Sequence, residues 1–383
     1  MPWQEVTAMS LRSEFVHLAQ QKGVPLTELC KRFCISRKTA YKWLQRYSEE
    51  GSAGLANRSQ RPRSSPTRTA ESIEATVLEL RDEHPAWGGR KLSAVLARRG
   101  IDPVPAPSTV THILRRHGRL PGPAARAQPT YHRFEHAAPN DLWQIDFKGD
   151  VKTHRHVVYP LTLLDDHSRY NLLLSACTRP NEPTVKALLI QTFERYGLPL
   201  TICSDNGSPW GSPRHPRALS RLGVWIVRLG IRLTHCRPGH PQTNGKDERF
   251  HRSLKVEVLT GKTYRDANAL QCALDEWRPI YNELRPHDAL QLAVPADRYQ
   301  PSPRAYPDTL PDIEYGDDDL IRRVQINGRV SFKGNWLMLP KALRGHPVAF
   351  RPVEQQDGAY QVYFCHQRIG KFDLKQPCRR LPG

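Results

Sequence analysis

The chain has no long apolar run, and this absence excludes the largest class of membrane proteins. No stretch approaches the roughly 18 apolar residues that a membrane-spanning helix needs, and the N-terminal residues lack the apolar core of a signal peptide. The eight cysteines are scattered without a Cys-x-x-Cys pair, which is typical of free thiols. Cys30 and Cys34 have no second pair of ligands nearby, so we expect them to pack in a core and not to bind zinc. The sequence therefore predicts a protein of the reducing cytoplasm.

Acidic side chains are scarce relative to basic ones. The 383 residues include 57 lysines and arginines against 38 aspartates and glutamates, which gives a net charge of +19 and a pI near 9.8. Such an excess indicates a polyanionic partner, most often a nucleic acid. The length exceeds what one hydrophobic core usually supports, so we expect two or three domains at least.

Three short amphipathic segments predict a helix-turn-helix domain over residues 1–50. Helices are expected at 11–22, 26–33 and 37–47, and the last follows a tight turn and begins after Ser36 as its cap. The third helix would lie in the major groove of DNA. Its free face carries side chains suited to phosphates and base edges, namely Arg37, Lys38, Thr39, Lys42 and Arg46. The alternative is a basic, solvated helix of a bundle.

Residues 51–69 contain almost no apolar side chains and are predicted to form a basic linker. Arg58, Arg61 and Arg63 are candidates to follow a DNA groove, because arginine fits a narrow minor groove. A flexible spacer explains the same composition equally well.

A second three-helix pattern predicts another helix-turn-helix domain over residues 70–120. The helices are expected at 71–83, 88–98 and 108–117. Two such units in tandem could read a longer DNA site than one can. The candidate DNA contacts in this second domain are Arg90, Lys91, Thr109, Thr111, Arg115 and Arg116. Residues 121–138, rich in proline and alanine, are expected to be a second linker.

From residue 139 the pattern predicts a mixed α/β sheet. Three runs of strand-forming residues are followed by alternating helices and strands, the order expected of an RNase-H-like fold over residues 139–306. Residues 307–383 alternate as five or so short strands with glycine turns, which predicts a small β-barrel. That C-terminal module could bind DNA or another subunit.

Three carboxylates stand where the elements of such a sheet converge. Asp146 lies in the first strand, Asp205 directly follows the fourth, and Glu248 lies on the next charged helix. Each has an ordinary structural explanation, as a strand-face residue, a turn former and a helix-surface charge respectively. Together they indicate a site of hard oxygen ligands, which suit magnesium or manganese and can promote phosphodiester chemistry with a pair of ions.

Several motifs resemble those of one family. They are PNDLWQIDFKGD around Asp146, LDDHSRY at 164–170, SDNGSPWG around Asp205, HPQTNGKDERFHRSLKVEVL around Glu248 and DEWRPIYNELRPHDAL at 275–290. Together they resemble the integrase catalytic core of bacterial insertion-sequence transposases, the DDE group that is also similar to retroviral integrases. The front end, with LANRSQRPR and HPAWGGRKL, is similar to the same group. The retroviral type of zinc domain is absent, and tandem helical units take its place.

The resemblance implies that Asp146, Asp205 and Glu248 form a catalytic triad that binds two Mg²⁺ or Mn²⁺ ions. It also implies that Lys255, on the same helix, contacts terminal DNA, and we expect Lys246 and Arg249 to face DNA as well.

Some features around the implied triad leave room for another arrangement. Asp247 is the main rival for the third ligand, but it points about 100° away from Glu248 on the helix. Asp165 and Asp166 are assigned to a strand-end turn. The interval between Asp205 and Glu248 is longer than is usual in the family, and a longer helix within residues 214–230 would account for it.

The predicted function is that of a transposase that cuts the ends of a mobile element and joins the 3′-hydroxyls to target DNA. Because two ends must be joined in one event, we expect a homo-oligomer assembled on double-stranded DNA, in the cytoplasm of a bacterium and associated with its nucleoid. Two other hypotheses stay open: a catalytically idle, sequence-specific DNA-binding regulator, and a structure-selective nuclease of the same fold.

Overall fold

The chain folds into two compact units, Met1–Arg68 and Thr69–Gly383. The computed structural model describes residues 7–21, 23–58, 68–120, 135–211, 218–235 and 245–375. Among these residues, no helix is both long enough and apolar enough to cross a membrane.

The first unit is a bundle of three helices, α1 (Ala8–Gln20), α2 (Leu26–Arg32) and α3 (Arg37–Glu50), followed by a 3₁₀ turn at Gly51–Leu55. We call it the first helical unit. The predicted cap is confirmed, because Ser36 Oγ accepts a hydrogen bond from the Thr39 amide at 3.2 Å. The core consists of Phe15, Val16, Leu29, Cys30, Ala40, Trp43 and Leu55. Cys30 is buried as expected, but Cys34 is exposed at the turn before α3, so the expectation of core packing was wrong for Cys34.

A second bundle, the second helical unit, comprises α4 (Glu71–Glu83), α5 (Gly89–Arg98) and α6 (Pro107–Arg116). Its core is made by Val77, Leu80, Trp87, Leu92, Val95, Leu96, Val110, Ile113 and Leu114. Gly89 permits the close crossing of α5 and α6, because a Cβ atom there would lie 2.3 Å from Thr111 Oγ1. Both predicted three-helix patterns are therefore present, with bounds close to those expected.

A six-stranded mixed sheet forms the centre of the chain. Its strands are β1 (Leu142–Phe147), β2 (Val151–Lys152), β3 (Val157–Asp165), β4 (Asn171–Cys177), β5 (Thr201–Ser204) and β6 (Arg232–His235). The order is β2-β3-β1-β5-β6, with β4 also paired to β3. The pairs β1–β3 and β3–β4 are antiparallel, whereas β1–β5 and β5–β6 are parallel. This is the RNase-H-like arrangement that the sequence predicts.

Helices cover both faces of the sheet because the strands are apolar on both sides. On one face lie α7 (Glu182–Tyr196) and α8 (Arg221–Arg228), packed on side chains such as Trp143 and Leu163. The helix expected within residues 214–230 is α8, which spans only Arg221–Arg228 and is preceded by non-helical residues 218–220, so a longer helix does not account for the wide interval between Asp205 and Glu248.

On the other face lie α9 (Gly245–Leu254) and α10 (Ala267–Pro279), each continued by a π-type turn, Lys255–Leu259 and Ile280–Leu284. The spacing of Phe250, Leu254 and Val258 by four residues predicts one apolar face on α9 and its extension, and these side chains do pack with Val158, Leu164 and Leu174 of the sheet. The sheet therefore holds α9 by an apolar stripe and leaves its opposite face open.

The C-terminal strands form an open arrangement. They are β7 (Leu320–Arg323), β8 (Arg329–Phe332), β9 (Asn335–Met338), β10 (Pro347–Pro352), β11 (Ala359–Phe364) and β12 (Gln367–Asp373). The sheet has the order β12-β11-β10-β7, and β8 and β9 form a separate hairpin. No closed barrel is formed by the described residues, so the predicted β-barrel is not confirmed. The Gln367 side chain bonds both the amide and the carbonyl of Leu233, which anchors this module to β6.

Candidate active site

Two of the three candidate carboxylates lie at the same end of neighbouring parallel strands. The β1–β5 register pairs Gln144 with Cys203, and two residues further along each chain come to Asp146 and Asp205. Asp205 follows β5 directly, and its Oδ1 accepts the amide of Gly207 at 3.0 Å, which makes the turn that the Asn206-Gly207 pair predicts. The carboxyl ends of parallel strands are where α/β sheets bind ligands. This edge is therefore the natural place for a site.

The third candidate lies on α9, whose first turn is fastened to the sheet beside Asp146. Thr162 is the register partner of Asp146 on β3. The Thr162 hydroxyl lies 3.0 Å from the Asp146 carbonyl oxygen, 3.0 Å from Asp247 Oδ1 and 2.8 Å from His251 Nε2. This hydroxyl thus joins the strand of one candidate ligand to the helix of another.

Asp247 and Glu248 differ sharply in their surroundings. Asp247 is fully buried at 0% exposure, and its Oδ2 has no hydrogen-bond partner among the described residues, whereas Glu248 is exposed. Burial, followed by the nearby charge of Asp146, raises the pKa of Asp247 well above its usual range. The Thr162 hydroxyl opposes this rise in part, because its hydrogen bond to Asp247 Oδ1 favours the charged carboxylate.

His251 lies one helical turn after Asp247 on α9, and its imidazole is neutral. Burial, with the charge of Lys148 as the second cause, lowers its pKa to about 3. A neutral imidazole can donate to or accept from the Thr162 hydroxyl without carrying charge into the site. The sequence reasoning missed both Thr162 and His251. A signal existed, because Thr162 is the one polar side chain in the run VVYPLTLL and His251 stands four residues after Asp247.

The start of α9 has a second attachment, through Lys246. Its ammonium forms an ion pair with Asp166, and the two side chains are 17% and 2% exposed. Asp166 also accepts the Gln144 side-chain amide at 2.8 Å, and burial lowers the pKa of Lys246. The structure thus places Lys246 against the sheet, whereas the predicted DNA contacts Arg249 and Lys255 are exposed.

The turn after β3 uses its two carboxylates structurally, as predicted. Asp165 accepts the Ser168 amide and hydroxyl at 2.7 and 2.6 Å and the Asn140 amide at 2.7 Å. Neither Asp165 nor Asp166 is therefore exposed to a ligand.

The donor set suits a hard cation, although its members do not converge on one point. In the part of the chain that the structure describes, no three His, Cys, Asp or Glu side chains stand close enough to hold a metal ion. Asp146, Asp205 and Glu248 would offer only oxygen atoms, which Mg²⁺ and Mn²⁺ prefer. Asp146 and Asp205 thus share one end of the sheet and Glu248 lies on α9, but the three carboxylates do not form a closed metal site among the described residues.

Cations from α1 and from α3, the helix predicted to enter the major groove, surround the Trp43 ring. Arg12, Lys42 and Arg46 place their charged groups 4.1, 4.7 and 5.1 Å from the centre of the Trp43 ring. Arg37, Lys38 and Lys42 are exposed, and Thr39 and Arg46 are half-buried. Arg58 pairs with Glu50 at 2.5 Å, and Arg61 and Arg63 lie outside the described residues.

The predicted contacts of the second helical unit lie in several different settings. Arg115 and Arg116 are exposed on α6, and Arg116 pairs with Glu74 at 2.5 Å. Thr109 and Thr111 are half-buried, and the Thr111 hydroxyl donates to the Pro107 carbonyl at 2.7 Å.

Arg90 and Lys91, at the start of α5, face the catalytic part of the chain. Arg90 pairs with Asp288 at 3.1 Å. Burial, with Arg285 as the second cause, lowers the pKa of Lys91 to about 8.

Family models match successive parts of the chain. Homeodomain-like domains match residues 8–56 and 39–114, integrase core domains match 136–241 and 229–295, and the C-terminal domain of IS481 family transposases matches 319–378. The matched segments follow the helical units, the mixed sheet with α9 and α10, and the C-terminal strands.

Two relatives are insertion-element proteins. A 39.2 kDa IS476 protein of Xanthomonas euvesicatoria is 25% identical over 288 residues, which cover 72% of this chain and 78% of the relative. A 31.7 kDa IS407 protein of Burkholderia multivorans is 25% identical over 236 residues, covering 61% and 82%. Among viral polyproteins, that of baboon endogenous virus is 30% identical over 205 residues, which are 51% of this chain and 11% of the relative.

Solved structures give weaker likenesses. The catalytic core of HTLV-2 integrase in complex with magnesium has a TM-score of 0.31 at 16% identity, covering 43% of this chain and 99% of that one. A chain of the simian T-cell lymphotropic virus intasome has a TM-score of 0.39 at 18% identity, covering 80% and 99%. Scores this low do not establish a common fold, which here rests on the strand order and the family models. Those models and the insertion-element relatives show that the chain carries homeodomain-like domains, an integrase core and a C-terminal domain similar to that of IS481 family transposases.

Proposed function

We propose that the chain binds the ends of a mobile element, cleaves DNA there by metal-assisted phosphodiester hydrolysis, and joins the exposed 3′-hydroxyls to target DNA. The observation that carries this proposal is the placement of Asp146 and Asp205 at adjacent parallel strand ends, beside the anchored first turn of α9. A transposase role agrees with the insertion-element relatives and with the helix-turn-helix domains that precede the core.

Asp146, Asp205 and Glu248 are proposed to hold two Mg²⁺ or Mn²⁺ ions. Bound there, the metal would neutralise phosphate charge and favour ionisation of an attacking oxygen. Glu248 is preferred to Asp247 because Asp247 lies on the buried face of α9 and its carboxyl group accepts a hydrogen bond from Thr162. The raised pKa of Asp247 also disfavours the anion that a metal ligand must supply. Glu248 is exposed on the same turn and remains reachable from the DNA side.

The protein side chains of the site position the reacting groups and neutralise their charge, and none of these side chains needs to act as a nucleophile. Thr162 and His251 hold the first turn of α9 against β1 and β3, so that Glu248 stays near the strand ends. Lys255 lies seven residues after Glu248, and therefore about two helical turns away on a neighbouring exposed face, where it can contact a DNA phosphate. Cleavage and joining are then both in-line phosphoryl transfers at one site.

End recognition is proposed for the two helical units, with contacts from Arg37, Lys38, Thr39, Lys42, Arg46, Arg58, Arg61, Arg63, Thr109, Thr111, Arg115 and Arg116. Arg90, Lys91, Lys246 and Arg249 are further candidates, although Lys246 is engaged by Asp166 in the free chain. Because two DNA ends are joined in one event, we expect a homo-oligomer that assembles on DNA in the bacterial cytoplasm, close to the nucleoid.

The test is a strand-transfer assay with Mg²⁺ and labelled DNA that carries the element's own ends. Glu248→Gln should lower joined product by at least about 10²-fold while leaving DNA affinity unchanged, because it removes a charge needed only for chemistry. Glu276→Gln, an exposed carboxylate on α10, is the matched control and should stay active. Activity kept in Glu248→Gln but lost in Asp247→Asn would move the third ligand to Asp247.

A second candidate is the catalytically idle regulator, which is favoured by the absence of a three-carboxylate cluster among the described residues. Wild-type protein that binds the element's ends but neither cuts nor joins them would support it. Hydrolysed ends that are never joined would instead indicate a nuclease.

A further inference from the structure

The second helical unit rests on the segment that follows α10. We call residues 280–297 the seat. Arg98 on α5 makes a two-pronged ion pair with Asp297 of the seat, with NH1–Oδ2 and NH2–Oδ1 distances of 2.7 and 3.2 Å. Arg90, in the first turn of the same helix, pairs with Asp288 at 3.1 Å. Two cations of α5 are thus matched by two acids of the seat.

The seat also contributes to the apolar core of that unit. Ile280 and Leu284 are partly buried and pack against the cluster that contains Leu80, Trp87 and Leu92. Partly exposed ion pairs alone hold surfaces weakly. The apolar contact therefore supplies attraction, and the paired charges fix which way α5 lies on the seat.

The other side of the seat is bound to the candidate catalytic helix. Arg285 donates to Glu257 Oε1 at 2.8 Å and to the Ser253 hydroxyl at 3.1 Å, and both ionic side chains are at most 10% exposed. Glu257 Oε2 accepts the Trp277 indole N–H at 2.9 Å. The buried Arg285–Glu257 ion pair is thus fixed by further hydrogen bonds with Ser253 and Trp277. Ser253 lies on α9, the helix that carries Glu248.

An aromatic contact reinforces the same junction. The Tyr281 ring in the seat packs edge-on against Phe250 of α9, with ring centres 4.8 Å apart. Phe250 is in turn part of the stripe that fixes α9 to the sheet. Contacts therefore run without a gap from α5, through the seat, to α9.

We propose that the seat joins the second helical unit to the catalytic helix as one body, so that the DNA sequence read by α6 sets which phosphodiester is cut. This inference rests on the proposed function. Arg90 and Arg98 are then positioning residues, and the surface of the unit left for DNA is that of α6 with Arg115. With a flexible connection, the cleaved phosphodiester would vary in its distance from the bound DNA sequence. A docked unit fixes the spacing between the two.

The contact is tested first without DNA or catalysis, by amide hydrogen exchange on the full-length chain. Arg90→Glu/Arg98→Glu places acids opposite Asp288 and Asp297, and an acid in the first turn of α5 is compatible with a helix. We expect faster amide exchange in both 89–98 and 280–297. The charge-swapped variant Arg90→Glu/Asp288→Arg should reverse the part of this increase that Arg90→Glu causes. Arg119→Glu is the matched control, because Arg119 pairs with Asp82 at 2.9 Å within the helical unit at similar exposure. Exchange confined to α5, or equal to that of the control, would overturn the contact.

The consequence is tested by mapping cut positions on end-labelled element DNA at nucleotide resolution. Arg90→Glu/Arg98→Glu should reduce cutting at the wild-type position by about five-fold or more, the factor that corresponds to roughly 1 kcal/mol, and should spread the remainder over neighbouring positions. Arg119→Glu should cut where the wild type does.

The outcomes separate the inference from the function on which it rests. A wild-type chain that cuts nowhere overturns the proposed function itself. A wild type that cuts at one position, with a double variant that loosens the seat yet cuts at the same position with equal yield, overturns only the inference.

Discussion

The two helical units share one local architecture and differ in how their cores are closed. Among the residues that the structure describes, every core side chain of the first unit comes from residues 15–55, with Leu55 of the 3₁₀ turn as the last. The core of the second unit is completed by Ile280 and Leu284, which belong to the seat of the catalytic part. The core of the first unit is therefore completed by residues of that unit. The core of the second unit is completed by Ile280 and Leu284, which come much later in the chain.

Their basic residues are used differently as well. In the first unit, Lys42 and Arg46 extend around Trp43. In the second unit, Arg90 and Arg98 of α5 are matched by Asp288 and Asp297. A basic helix in a helix-turn-helix pattern thus does not by itself indicate a DNA contact, because acids elsewhere in the chain can match its charge.

Truncating the buried tryptophan of each unit should separate the two most clearly. Trp87 is fully buried and stacks on His84 with ring centres 3.8 Å apart, so Trp87→Ala should lower the free energy of unfolding by about 3–5 kcal/mol. Because the seat packs on this core, the transition of the catalytic part should shift with it. Trp43→Ala should affect only the transition of the first unit. Differential scanning calorimetry measures both, and a shift of every transition in both variants would contradict the comparison.

The apolar contact of the seat should have the next largest effect. Leu284→Ala removes a partly buried contact between the seat and the second unit, so it should cost about 1–2 kcal/mol of unfolding free energy in urea. Val256→Ala is the control, since Val256 is 53% exposed on the turn after α9 and should change stability little. Equal effects of the two substitutions would show that the seat contact adds no stability.

Acid should weaken the seat before it weakens the first unit. Burial, with the charges of Arg285 and Lys91 as further causes, lowers the pKa of His287 to about 2. Below its ordinary pKa the unfolded chain binds a proton that the folded chain excludes, so stability falls as the pH drops through 6.5 and continues to fall towards 2.

Between pH 6.5 and 5.5 this histidine should account for a loss of about 1 kcal/mol in the free energy of unfolding. Urea titrations at several pH values measure it, and His287→Gln should reduce the pH dependence over this interval by about that amount while leaving the share of His251, whose pKa burial also lowers. An unchanged slope in that variant would assign the acid sensitivity to other groups.

The smallest effects concern single DNA contacts. Lys42→Ala in the first unit should reduce the slope of log K against log salt by about 1, because one phosphate contact is lost. Arg90→Ala in the second unit should leave that slope unchanged if Arg90 serves the seat. Fluorescence anisotropy with the element's end DNA at several salt concentrations compares them, and equal slope changes would return Arg90 to the DNA interface.

The sequence determined the features that depend on near neighbours. Helical spacing located α4 to the residue and indicated the inward apolar stripe of α9, because amphipathic periodicity is a local property. The cap at Ser36 and the turn after Asp205 follow from side chains that bond their own backbone. Asp247 could have been assigned to the buried face as well, since it precedes Phe250 by three residues and Leu254 by seven.

Only the tertiary structure decided which charges meet. The partners of Thr162, Lys246 and Arg98 are Asp247, Asp166 and Asp297, which lie 85, 80 and 199 residues away along the chain. No spacing rule links residues so far apart, because their approach depends on strand order and on how the chain returns after α10. Burial turned Asp247 into an anchor, whereas Arg98 stays exposed and becomes a docking residue only because the fold brings Asp297 to it.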